Sequence, residues 1–203
     1  MARLNVTSGD YVSFAHRLLW DSSQRHLTIA QERPDDSWML HLSAGLLAAA
    51  AYEAYLNYLG LEILPDVWAD ERIAFSTEPY RGIEGKLKRI AEEIEWSLPS
   101  KSLRPLSGVV ELQSLRDKMV HAKPKKETYR RTHKEGEFPP TPSTWLYREA
   151  PERKVCALVA DVEAFSVSLH NAVLQSEFKY VIFGPHPFLG LLGFGTHTVE
   201  SAS

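Results

Sequence analysis

Residues Ser37 to Leu59 read SWMLHLSAGLLAAAAYEAYLNYL, and this run decides the fold class. Leu42, Leu46, Ala49, Tyr52 and Leu56 form one stripe at helical spacing; Met39, Leu47, Ala50 and Ala54 form another. A helix that is apolar on most of its sides belongs at the centre of a protein rather than on its surface. Ala44, Gly45 and Ala48 to Ala51 are small enough to let neighbours approach closely. Gly60 stands where a glycine would end the helix. Against this background Glu53 and Asn57 are four apart and share a face. A polar pair on a buried helix needs partners.

The helical pattern continues on both sides. Asp10 to Arg33 carries Phe14, Leu18, Leu27 and Ile29 between polar residues, with a bend at Trp20-Asp21. The turn Pro34-Asp35-Asp36-Ser37 then brings N-cap chemistry. Leu61 to Phe75 is a connector with a short helical turn around Val67 to Arg72. Glu78-Pro79 opens a third helix, with Ile83, Leu87, Ile90 and Ile94 inward and Lys86, Lys88, Arg89, Glu92, Glu93 and Glu95 mostly outward. Leu103 to Pro124 is a fourth, built on Leu106, Val109, Val110, Leu112, Leu115 and Met119. Pro151 to about Lys179 is the last, with Cys156 on its apolar face and so expected in the core. The spacing predicts an all-α bundle of about five helices over residues 1–180, with a basic, Pro-rich loop at 124–150. Residues 181–203 form a Gly/Pro-rich tail, expected to dock on the body or on a second subunit. A strand is expected at most at Tyr180 to Phe183.

Composition bounds the function. The 203 residues suit one domain. A net charge of −3 argues against a protein that coats nucleic acid by charge alone. The single cysteine excludes an internal disulfide framework and fits a reducing compartment. The start MARLNVTSGD has no signal-peptide core. The most apolar run, around Leu46 to Ala51, is broken by Glu53 and Asn57 before it could span a bilayer. The expectation is a cytoplasmic protein without a membrane partner. GFGTHT lacks the Lys-Ser/Thr end of a phosphate loop, and no two histidines have convincing metal-ligand spacing. Neither a metal nor a cofactor is expected.

Chemistry concentrates near the end of the fourth helix, in Arg116-Asp117-Lys118-Met119-Val120-His121. A guanidinium is always charged and grips phosphate through paired hydrogen bonds. Imidazole titrates near neutrality and can carry a proton. Five residues on a helix place Arg116 and His121 roughly 140° apart. They converge if the helix ends near His121, which Pro124 favours, if Arg116 reaches around, or if two copies of the chain combine. The alternative is structural, with His121 and Lys123 as cations complementing a helix end. From Arg116 to Lys134 eight Lys or Arg and two acids leave a local charge of +6 in a negative chain. Lys118, Lys123, Lys125, Lys126, Arg130 and Arg131 could track an RNA backbone, with Tyr129 stacking on a base. The other reading of this run is a solvated loop.

These features together resemble the HEPN superfamily (higher eukaryotes and prokaryotes nucleotide-binding domain). Its members are all-helical and carry an Arg-x4-6-His motif late in the bundle, here RDKMVH with Asp117 in the polar position after the arginine. LLAAAAYEAYLNYL is similar to the family's early apolar helix with an acid and an Asn, which map onto Glu53 and Asn57. GIEGKLKRIAEE is similar to its Lys-containing helix. The likeness covers roughly Ser43 to Pro124. It implies a homodimer whose Arg/His motifs share one cleft and cleave RNA without metal, in a defence or toxin–antitoxin setting with an antitoxin or other partner protein. In that setting His121 transfers the proton, Arg116 holds the phosphate and Asp117 orients one of them. The family's non-catalytic members imply an alternative: a module for dimerisation or for binding RNA, nucleotide or a partner. Glu53 and Asn57 either order Arg116 or His121, or form a buried polar network that fixes helix packing.

Overall fold

The computed structural model describes residues 5–33, 37–124, 126, 128 and 145–201. In chain order the elements are β1 (Asn5–Ser13), α1 (Ala15–Glu32), α2 (Ser37–Ile63), α3 (Pro65–Ala69), α4 (Glu71–Ala74), α5 (Gly82–Glu93), α6 (Leu106–Val120), α7 (Trp145–Glu149), α8 (Glu152–Gln175) and β2 (Gly193–Ser201). The helical class read from the sequence holds, and the five long helices are the five that periodicity predicts. The short helices α3 and α4 occupy the expected connector. The helix α7 lies in what the sequence presents as loop.

The N-terminal segment is the main departure. Residues 5–13 form a strand, and the first helix starts at Ala15 instead of Asp10. The sequence NVTSGDYVS is poor in helix formers. Its backbone groups pair antiparallel with β2, from Asn5 opposite Ser201 to Ser13 opposite Gly193. Tyr180 to Phe183, the one stretch where a strand was expected, is turn instead.

The chain groups into two compact units. One comprises residues 1–22, 50–98 and 166–203; the other comprises 23–49 and 99–165. In the first, Tyr52, Tyr55, Leu56, Leu59, Ile90 and Leu169 are fully buried. Helix α2 runs on to Ile63, so Gly60 lies inside the helix rather than at its end. The reason is packing. A Cβ on Gly60 would fall 2.0 Å from Cε2 of Trp68, so the indole lies directly on the bare backbone. Helix α5 ends in a Schellman turn: Trp96 N–H donates to the Ala91 carbonyl at 2.8 Å, with Glu95 at φ 53 in the position glycine usually takes.

The second unit shows why the α2 sequence is so small at its centre. A Cβ on Gly45 would approach Val155 Cγ1 to 2.9 Å, and one on Gly108 would meet the Asp161 carboxylate at 1.7 Å. Helices α6 and α8 run antiparallel, clamped by Arg104 Nε donating to Asp161 Oδ2 at 2.6 Å and by Lys154 with Glu111 at 2.7 Å. Helix α7 is held through Trp38, whose Nε1–H donates to the Ala150 carbonyl at 3.1 Å and whose ring lies against Tyr147. By length and composition α8 could cross a membrane, yet Val155, Leu158, Val162, Phe165, Leu169 and Val173 along it are all buried in the fold. Cys156, placed in the core by its apolar neighbours, is exposed: it points away from the face that Val155 and Val159 bury.

Candidate active site at the end of α6

Leu106, Val109, Leu112 and Leu115 are buried and fix which way α6 faces. The helix ends one residue before the histidine. His121 is its C-cap, at φ −103 and ψ 18, and its N–H still reaches the Asp117 carbonyl at 3.1 Å. The helix therefore ends at His121, but the retained bond keeps the imidazole in its helical direction, and the structure shows no contact between His121 and Arg116. Arg116 is half-buried, and its Nη1 donates to Asp117 Oδ1 at 2.8 Å. Asp117 and His121 are exposed. The arrangement is a guanidinium held by a neighbouring carboxylate, followed by an imidazole on irregular backbone in open solvent.

The basic residues divide. Lys118 Nζ is committed to Glu149 Oε2 of α7 at 3.3 Å. Lys123 and Lys126 are exposed. Lys125, Arg130 and Arg131, with Tyr129 and Lys134, lie outside the described residues.

Glu53 and Asn57 are gathered in the first unit around Lys86. Lys86 Nζ donates to Asn57 Oδ1 at 2.8 Å, forms an ion pair with Glu71, and lies 4.0 Å from Glu53 Oε1. Trp68 Nε1–H also donates to Asn57 Oδ1, at 3.4 Å. These contacts tie α2 to α3, α4 and α5, and none of them reaches Arg116 or His121. Lys86, read from the sequence as an outward charge, is 5% exposed. The signal was present: Lys86 stands four residues before Ile90 and so lies on the buried face of α5.

A second polar centre escaped the sequence reading. His16, Arg17, Tyr55 and His170 are all buried, in the first unit. His170 Nε2–H donates to the Gly184 carbonyl at 2.9 Å, which leaves Nδ1 to accept from the Tyr55 hydroxyl at 2.8 Å. Arg17 donates through Nη1 to the Leu191 carbonyl at 2.8 Å and through Nη2 to the Phe183 carbonyl at 2.6 Å. Phe188 stacks on Trp20 at 4.5 Å. These contacts dock the expected tail on its own chain. Burial first, then the charges of Arg17 and His170, push the His16 imidazole down to about 3; a hydrogen bond to the Pro187 backbone acts the other way. Burial lowers His170 as well. The residues come from three distant parts of the chain, His16, Arg17 and His170 on amphipathic helices and Tyr55 on the apolar α2, so no local signal marked them.

Among the described residues no group of three or more His, Cys, Asp or Glu side chains is placed to hold a metal ion. Comparison with protein-family models, with curated proteins and with solved structures returns no match.

Proposed function

We propose that the chain is a metal-independent ribonuclease of HEPN type, with Arg116, Asp117 and His121 as its chemical groups. The observation that supports this reading is the Arg116 guanidinium held by Asp117 at 2.8 Å on the same helix end as the exposed His121; in the proposal a second chain supplies the partner motif. In the proposed reaction the imidazole takes the proton of a ribose 2′-OH, whose oxygen attacks the adjacent phosphorus. The bond from phosphorus to the 5′ oxygen breaks, and that oxygen is protonated as it leaves. The products are a 2′,3′-cyclic phosphate and a 5′-hydroxyl. Arg116 offsets the charge that grows on the phosphate oxygens, and Asp117 sets the direction of the guanidinium. Two chains contribute a motif each to one cleft, which Lys123 and Lys126 flank. A protein that covers this helix end would act as the antitoxin.

The test uses purified protein and mixed cellular RNA in the presence of chelator. Cleavage leaving cyclic phosphate ends is expected, and it should fall by about a hundredfold or more in His121→Ala and in Arg116→Ala. Equal cleavage by wild type and both variants overturns the assignment. RNA retention without cleavage in any of the three replaces it with the non-catalytic binding module.

A further inference from the structure

In the second unit, α6 and α8 enclose a groove of about 420 Å³, a size that holds small organic molecules. It lies away from the Arg116–His121 end. Glu111, the last residue of α6 to line it, precedes His121 by about 15 Å along the helix axis. Its polar lining comes from the start of each helix: Arg104 and Ser107 beside α6, Arg153 and Lys154 in the first turn of α8. Gly108 and Leu158 supply a buried apolar lining, with Ala157 beside them.

Two carboxylates order these cations. Asp161 accepts from Arg104 Nε at 2.6 Å, and the Ala157 carbonyl accepts from Arg104 Nη2 at 3.3 Å. Glu111 pairs with Lys154 at 2.7 Å. Gly108 gives Asp161 its place, since a Cβ there would lie 1.7 Å from the carboxylate. Donors are left over. Arg104 Nη1 is not used in these contacts, and an ammonium held by one carboxylate keeps further N–H groups. Among the described residues neither the exposed Arg153 guanidinium nor the half-buried Ser107 hydroxyl has a hydrogen bond or an ion pair. Three cations against two carboxylates leave the groove with one positive charge in excess, in a chain whose net charge is −3.

We propose that this groove binds a small organic carboxylate, its anionic end on Arg153, Arg104 and Ser107 and its hydrocarbon body against Leu158 and Ala157. The surplus of one charge matches a monoanion. A phosphate monoester carries a charge of about −1.5 to −2 at neutral pH, which overshoots that surplus and brings more repulsion from Glu111. Guanidinium forks match a planar carboxylate through paired hydrogen bonds, and the apolar lining takes the hydrocarbon out of water. The proposal goes beyond the ribonuclease reading. It uses none of the Arg116–His121 residues and is read from binding, so either can fail while the other stands.

The test titrates the full chain with benzoate, followed by calorimetry and by backbone amide shifts. A ligand this small should bind with a Kd of about 1 mM, and the shifts should centre on residues 104–111 and 151–158. Benzamide, of the same shape but neutral, should bind about tenfold more weakly or worse. Arg153→Ala removes an exposed side chain with no partner among the described residues, so the fold stays intact while benzoate affinity should fall about tenfold. Ala157→Phe should abolish binding by filling the groove with its charge unchanged. Each variant should keep the helical circular dichroism spectrum of the wild type. The proposal is overturned by no response to benzoate at tens of millimolar, by benzamide binding equally well, or by affinity that survives Arg153→Ala. Phenyl phosphate binding more tightly than benzoate also overturns it, in favour of a dianion.

Discussion

Lys86 is where the residue scale teaches most. A lysine on a helix face is ordinarily solvated, but here its ammonium is enclosed by the Asn57 carbonyl oxygen and the Glu71 carboxylate, with Glu53 nearby. Removing it leaves Asn57 Oδ1 with a weaker donor set and two carboxylates without their cation. The carboxylates are partly exposed, so water recovers part of the loss. Lys86→Met should therefore cost about 2 kcal/mol in chemical denaturation. Lys88→Met, on the exposed side of the same helix, should stay within about 0.5 kcal/mol. Equal effects would remove the packing role assigned to the network. Arg116→Ala and His121→Ala act differently, since neither side chain is in the core. They should change RNA cleavage while leaving the denaturation midpoint nearly in place, and that separates a chemical role from a structural one.

At the scale of elements, α2 illustrates how packing overrides local preference. Glycine inside a helix costs roughly 1 kcal/mol relative to alanine, so Gly60→Ala would be stabilising in an isolated helix. In this fold the added Cβ would lie 2.0 Å from the Trp68 ring. Gly60→Ala should accordingly destabilise by about 2–3 kcal/mol, and adding Trp68→Leu should show strong coupling in a double-mutant cycle. Additivity of the two would mean that Trp68 does not sit on Gly60. The five long helices were legible because each carries an apolar stripe of its own. The same logic explains the misplaced start of α1. Phe14 and Leu18 extend the stripe backwards into residues whose backbone partners lie in β2, nearly the whole chain away. The burial of Lys86 was recoverable from its register with Ile90, whereas the His16–Tyr55–His170 centre was not, because its members meet only after α1, α2 and α8 have packed.

Across the first unit as a whole, the buried histidines set the response to acid. His16 and His170 are neutral when folded, with pKa values below the ordinary 6.5 and that of His16 at about 3. In the unfolded chain both titrate near 6.5. As pH falls below that value the unfolded state takes up protons that the folded state refuses. Their contribution to stability is therefore complete above about pH 6.5 and is lost on acidification. The loss from His16 continues until it protonates at about 3. Urea midpoints should drop between about pH 7 and pH 5, before most carboxylates titrate, and His16→Phe should flatten that slope. A pH-independent midpoint in this window would contradict the burial of these rings. Protonating His170 would keep its Nε2–H on the Gly184 carbonyl but remove the Nδ1 acceptor of the Tyr55 hydroxyl, so acid should act first on the Tyr55 contact.

By itself the sequence determined the helical class, the five long helices and the central burial of α2. All of these follow from forces that act within a few residues: apolar periodicity and small-residue spacing. The tertiary structure alone decided that residues 5–13 pair with residues 193–201. It decided that Trp68 carries Gly60 into the interior of a helix and that Lys86 anchors Glu53 and Asn57. It also decided that the tail is fastened by Arg17 and His170. Each of these depends on what lies opposite a residue in space, and hydrogen-bond partners and neighbouring rings tens to hundreds of residues away leave no trace in local periodicity.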